Sequence, residues 1–421
     1  MQSVFSKNTL GDRSQISQTP IHITEKNKAS KRNMTPLRLN KSGFLALPKS
    51  CLAIAIPLIF LAVTGLLSPY KYNLAPATAA LETALILSSV FMLSGCKVKL
   101  SIFPATAVLY LIVSFLIAWN VSSTHYLDFI VAYKAFYYVA LLSLYIGRNK
   151  FDSANLCRLF KILFFLFLVK YSYSKALTLT PNMGDRPGIY TENNFEIIFI
   201  ILLYYIAYPF LTQKKTAILI GVSFLVFLSG SRSGLLALLV VFAFLHIHRI
   251  NRKTVITLVG LISLAGLAYY VFDKRMTGGI ESIDRFIFLQ LFLREVSHWN
   301  LMNALFGSMP VTPLSTATCN ALGFYQKLFS YANDGSCYSV VLHSYILRVI
   351  FDHGCAGLIF LFSFIGTGLR KSGFSKKQIA CFLSVILATS LSVSALNNVY
   401  MAMILAIAFS LRQADGKQSR I

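Results

Sequence analysis

Acidic residues are scarce in this chain. It holds 15 Asp and Glu among 421 residues, and the four charged types together reach only 13%, about half their share in an ordinary soluble domain. A string of carboxylates for a proton or ion path is therefore missing. Cysteine occurs 7 times and tryptophan twice. There is no CxxC and no His/Cys cluster, the usual sequence grounds for a metal site. The chain also lacks a Walker A loop, a Rossmann glycine fingerprint and a nucleophile elbow, so ATP-driven transport has no phosphate cradle to rest on.

Apolar sequence is what the chain does have. Hydrophobic residues make up 56%, in runs of about twenty that match the thickness of a bilayer. The runs do not alternate, which excludes a transmembrane barrel. The expected fold is an all-α polytopic membrane protein with about twelve spans, near 50–69, 75–95, 101–119, 128–147, 155–171, 193–211, 216–230, 233–248, 254–272, 343–369, 378–395 and 397–411. Residues 1–49 form a basic tail expected to be disordered, 50–411 the transmembrane domain, and 412–421 a short C-terminal tail.

The net charge of +24 would suggest nucleic acid in a soluble protein. Here, with the N-terminus placed in the cytoplasm, most Lys and Arg fall in short cytoplasmic segments. This is the bias that orients membrane proteins, and no nucleic-acid partner is needed. The same arrangement puts residues 172–192, the turn at Arg232 and the long loop 273–342 on the outer face, with Trp119 and Trp299 near the interface. Within the loop, Ser282 to Phe306 has helical periodicity and could lie along the membrane surface. Residues 307–341 read as irregular. Cys319 and Cys337 lie in this loop and could form a disulfide in an oxidising compartment. Cys51, Cys96, Cys157, Cys355 and Cys381 read as small core residues.

Arg232 sits among small residues, Ser229-Gly230-Ser231-Arg232-Ser233-Gly234, at a turn between two apolar runs. An arginine fork beside a helix N-terminus suits a phosphate; an arginine snorkelling to lipid headgroups is the plainer alternative. Ser231 and Ser233 let a ligand approach the backbone. His343 opens the next apolar run, as a general base or as a satisfied interfacial histidine. Arg348 and Asp352, four apart, are expected to pair. Arg285 and Arg294 are expected to pair with Asp284 and Glu295 on the loop helix, and Lys134 with Glu82 inside the membrane. Arg186 is a further loop arginine, with Glu192 nearby.

Taken together, the Ser229-to-Gly234 turn, the run from Arg285 through Trp299 to Leu305-Phe306-Gly307, and His343 followed by Gly354 and Gly357 resemble the ordered motifs of the O-antigen ligase and polysaccharide polymerase superfamily of membrane glycosyltransferases. Ser344 stands where that family usually carries Asn, and Asp352-His353 where a Glu is common. The resemblance implies a donor glycan on undecaprenyl diphosphate at the periplasmic face of the bacterial inner membrane, with both termini cytoplasmic and no cofactor or metal. It implies Arg232 and Arg285 as stabilisers of the leaving diphosphate and His343 as the base. Ser231, Ser233, Arg186, Arg294 and Ser344 are the implied substrate contacts, and loop 273–342 a lid over them. A flippase and a chain-length regulator of the same pathway are the implied partners. The contexts around Tyr338 and Gly188 are closer to the polymerases; a ligase acting on lipid A core or protein is the alternative, and a transporter or flippase is the alternative from another class.

Overall fold

In the computed structural model, the described residues are 47–68, 73–93, 102–121, 124–177, 186–212, 214–247 and 284–412. They are 76% helical and form no strand. The helices are α1 (Lys49–Leu67), α2 (Ala77–Leu93), α3 (Ile102–Asn120), α4 (Tyr126–Ala132), α5 (Lys134–Leu142), α6 (Ser153–Leu177), α7 (Asn193–Ala207), α8 (Lys215–Ser229), α9 (Arg232–His246), α10 (Asp284–Glu295), α11 (Leu301–Phe306), α12 (Thr316–Ala321), α13 (Tyr345–Lys371), α14 (Lys376–Ser390) and α15 (Val399–Ser410).

Two helices form the centre. Every residue of α15 is buried, and so is nearly every residue of α7. Both are apolar all round, as a helix must be to lose all its faces to neighbours. Helix α7 packs on α6, α9 and α15, α1 on α2 and α6, α9 on α14, and α13 on α14. The outer faces stay apolar: Val108, Leu109, Ile112, Val113 and Leu116 of α3 and Ile56 and Phe60 of α1 are exposed. Water would penalise such a surface and hydrocarbon would not.

The expected twelve spans are not what the helices support. Four described stretches are long and apolar enough to cross a bilayer, Lys49–Leu67, Ile102–Asn120, Asn193–Phe210 and Tyr345–Lys371, and four more apolar helices are shorter. The expected run 254–272, the tail 1–46 and loop residues 273–283 lie outside the described residues. The expected span 128–147 is broken at Tyr133 into α4 and α5. The cause is Asn397. Its Oδ1 accepts from Ala135 N at 3.1 Å and its Nδ2 donates to Val131 O at 2.8 Å. These are the two groups that an unbroken helix would bond to each other, so the amide has been inserted into the ladder. Asn397→Leu should leave Ala135 N unpaired in the interior, at about 1–3 kcal/mol, and Val131 O with only the 3.5 Å bond from Arg348 Nη2. It is expected to lower the thermal midpoint of the detergent-solubilised protein clearly below that of the parent; an unchanged midpoint would refute this role.

Among the described residues of the long loop, 307–341 is largely irregular as expected, with one short helix, α12, and brief 3-10 turns. The expected single helix from Ser282 to Phe306 is two, α10 and α11, because the Asn300 side chain caps α11 at Asn303 N, 2.9 Å. Phe288 and Phe292 of α10 bury with Leu314, Cys319, Leu322, Cys337, Val341, Leu342 and Phe351 in a core of their own. Trp299 packs on Phe351 there, while Trp119 at the end of α3 is exposed. Cys319 and Cys337 are joined by a disulfide. Of the other cysteines that are described, Cys51 and Cys381 are buried and Cys157 partly so, but Cys355 is exposed, contrary to its expected core place.

Two glycines seat this loop core on the bundle. Helix α13 kinks at Gly354, where φ is +65° and ψ −174°. The kink leaves Phe351 O to accept from Ser308 N at 2.7 Å and Ser308 Oγ at 2.9 Å. Gly307, at φ +85°, faces the backbone of Asp352 and His353, and Gly354 faces that of Leu305. On the far side, Asp128 of α4 accepts from Ser330 Oγ at 2.8 Å and Tyr331 N at 3.2 Å. The described part of the loop is thus pinned to the bundle as a roof.

Candidate functional site

Between roof and bundle lies a cleft of about 350 Å³, within the roughly 300–1,000 Å³ range of small-molecule sites. Two other hollows hold about 20 and 10 Å³, room for a water apiece. The cleft is lined by Val131 and Lys134 at the α4–α5 break, Glu192, Asn194 and Phe195 at the start of α7, Arg285 and Phe288 of α10, Tyr325, Leu328, Val340, His343, Arg348 of α13, and Ser392 to Ser394 with Asn397 before α15.

The floor is made by the helix break. Lys134 follows Tyr133 directly and its Nζ lies 2.6 Å from Glu82 Oε1, which also accepts from Tyr138 Oη at 3.2 Å. Arg348, one turn into α13, donates from Nη1 to Ser394 Oγ at 3.3 Å and from Nη2 to Val131 O at 3.5 Å. The expected Arg348–Asp352 pair does not form: Asp352 accepts from Ser339 Oγ at 2.5 Å.

The roof contributes Arg285 and His343. Arg285 is half-buried and its Nη2 lies 3.4 Å from Ser392 O. The His343 ring meets Tyr325 edge-on at 4.9 Å between centroids and Phe288 at 5.8 Å, so two aromatic walls set its orientation. Arg294 is exposed and does not line the cleft. At 100° per residue, the nine positions from Arg285 turn it to the opposite face of α10. Glu295 is equally diverted: Ser315 Oγ donates to it at 2.5 Å, and Ser315 N and Thr318 Oγ bond it as well. The expected pairing with Arg294 gives way to holding the start of α12.

The turn at Arg232 adjoins the cleft through Asn194. Asn194 Oδ1 accepts from Ser231 Oγ at 2.8 Å, and Ser231 Oγ accepts from Gly234 N at 3.0 Å. Beside it, Asn193 Nδ2 donates to Ser229 O at 3.1 Å and Pro187 O at 2.5 Å. Ser231 and Ser233 are buried, and Ser231 is spent on capping α9. Both support the turn, Ser231 Oγ lying 3.3 Å from Ser233 Oγ. Ser344 is likewise buried, with its hydroxyl on Ser390 O at 3.3 Å. Arg232 is half-buried and Arg186 exposed; neither lines the cleft.

The electrostatics favour an anion. Lys134 is neutralised by Glu82 at 2.6 Å, which leaves Arg285 and Arg348 against one carboxylate, Glu192, in the lining, and a low-dielectric cleft focuses such a field. Lost solvation pushes the Glu192 carboxyl above its ordinary value. Sequence reasoning missed Lys134 and Arg348 as members of the site, having spent both on carboxylate partners. The signal was present in Asn397-Asn398, an amide pair in an apolar region that has no reason to be there unless it bonds backbone.

No protein-family model, no curated protein and no solved structure matches this chain.

Proposed function

We propose that this chain is a membrane glycosyltransferase that joins undecaprenyl-diphosphate-linked oligosaccharide repeats at the periplasmic face of the bacterial inner membrane, with both termini in the cytoplasm. The observation that carries this reading is that Arg285 and His343, far apart in sequence, line one cleft that holds an excess of positive charge. The motif resemblance adds the donor class.

The chemistry would run as a displacement. An acceptor hydroxyl of one lipid-linked repeat attacks the anomeric carbon of another, and its proton passes to a ring nitrogen of His343. The bond from that carbon to the diphosphate oxygen breaks, and undecaprenyl diphosphate leaves with the bonding pair. Arg285 stabilises the charge that grows on this leaving group, the kind of fixed electrostatic aid that usually dominates such steps.

The test is chain extension in proteoliposomes supplied with lipid-linked repeats. Arg285→Ala is expected to reduce kcat/KM roughly 100- to 1,000-fold, as for removal of one charge-stabilising donor. Normal yield in that variant would remove Arg285 from the mechanism. In cells, deletion of the gene should leave single repeats on the core. Accumulation of lipid-linked polymer absent from the core would make the protein a ligase instead.

A further inference from the structure

Helices α10 and α11 follow one another in the roof, yet their open faces differ. Helix α10 exposes polar groups among its leucines, Gln290 and Arg294 beside Leu289 and Leu293. Helix α11 exposes Leu301, Met302, Leu305 and Phe306, with Met309 just beyond it. These four recur as i, i+1, i+4 and i+5, one stripe of the helix, and α11 carries no charged residue to interrupt it. Its other side is packed on α13 at Gly354, where the atoms that a Cβ would meet are Leu305 O and C and Phe306 N. Depth can be counted along α13. Arg370 and Lys371 are exposed in its last turn and mark the water boundary at that end. A hydrocarbon layer of about 30 Å takes up about twenty residues of helix from there and reaches back to Ile350. Any tilt of the helix moves that limit further towards Tyr345. Gly354 therefore lies within the layer, with α11 against it.

The backbone is finished for such a place. Lipid cannot satisfy a peptide group, so chain that enters hydrocarbon must return its polar groups to protein. Asn300 Oδ1 accepts from Asn303 N at 2.9 Å and Asn300 O from Ala304 N at 3.1 Å. Gly307 N donates back to Asn303 O at 2.7 Å, and Ser308 N and Oγ both donate to Phe351 O. Beyond the contact, Cys355 and Ile359 of α13 are exposed as well, so the apolar stripe of α11 runs on into the lipid-facing side of the bundle. We propose that α11 is a re-entrant foot: the roof dips into the leaflet on its own side, and the partner of Leu301, Met302, Leu305 and Phe306 is the acyl-chain layer of the bilayer. This foot needs only that the bundle spans a membrane, whatever chemistry the cleft performs. It gives the roof a second anchorage, in lipid, besides the clamp on Asp128.

The test uses the full chain in phospholipid nanodiscs. With p-benzoyl-phenylalanine in place of Phe306, irradiation is expected to yield protein that carries a lipid adduct, read by intact mass and mapped to the acyl chain. Met302→Asp adds a test of sign. Met302 lies in the first turn of α11, where an acidic residue in water is neutral or mildly favourable. In hydrocarbon the same carboxylate is strongly penalised. The thermal midpoint of Met302→Asp is therefore expected to fall clearly below that of the parent, while Met302→Leu stays level with it. No lipid adduct at Phe306 would overturn the foot, and so would a midpoint for Met302→Asp equal to or above the parent's. A matching fall in Met302→Leu would mean that Met302 packs on protein, against the proposal. Adducts to a second copy of the chain in place of lipid would make the stripe a protein interface instead.

Discussion

His343→Ala is expected to leave a folded protein in the membrane that no longer extends glycan chains, with turnover reduced roughly 10²- to 10⁴-fold, the usual contribution of a general base. The imidazole stands in the cleft lining beside Arg285 and Arg348, and its ring is oriented by Tyr325 and Phe288. Removing it takes away the proton acceptor and leaves the cationic groups in place. Donor affinity should therefore change by a few-fold only, and the loss should appear in kcat. Chain extension and lipid translocation measured side by side separate this reading from transport. Polymer of normal length and yield from the variant rules out the base role. Translocation that survives His343→Ala in a protein that never lengthens chains would replace the enzyme by a flippase.

Gly354→Ala should be strongly destabilising. A Cβ there would lie 2.2 Å from Leu305 O and 2.4 Å from Phe306 N, and the residue sits at φ +65° with ψ −174°, a conformation open to glycine almost alone. Backbone strain there costs about 1–3 kcal/mol before any overlap is relieved. Relief can come only by pushing α11 off α13, because the atoms met are backbone. The loss of Ser308–Phe351 bonding would follow, and α10 with Arg285 is carried on the same loop core. Thermal unfolding of the solubilised protein measures the effect, with Gly323→Ala as the control, since a Cβ at Gly323 meets nothing within 4 Å. Equal midpoints for the two variants would mean that the junction yields more easily than its geometry implies.

The positions of the helices were legible in the sequence because apolar runs mark them whether or not they cross the membrane. Their lengths were not, because the interruptions come from partners remote in the chain. Nothing near Tyr133 announces a break; the cause is an amide at Asn397. The candidate site divides in the same way. Arg285 and His343 were found through motif order, and they do meet in one cleft. Arg348 was assigned to Asp352 on spacing alone, and spacing does not reveal that Ser339 reaches the carboxylate first. Ser231 was read as a ligand contact because small polar residues surround an arginine. The same residue type caps helices, and capping is the use made of it here. Arg294 could have been separated from Arg285 by counting, since nine residues on a helix reverse the face.

Asn397 also imposes an order on biosynthesis. Its partner Ala135 precedes it by 262 residues, so α5 leaves the ribosome with an open seam where the cleft floor will be. At about 5–20 residues per second the seam waits some tens of seconds for the segment that closes it. Lys134 has Glu82 from the start, whereas Val131 O has neither Arg348 nor the amide of Asn397 against it until those later segments emerge. A nascent chain that ends before Asn397 therefore carries the roof residues and Arg348 without the amide that closes the α4–α5 seam.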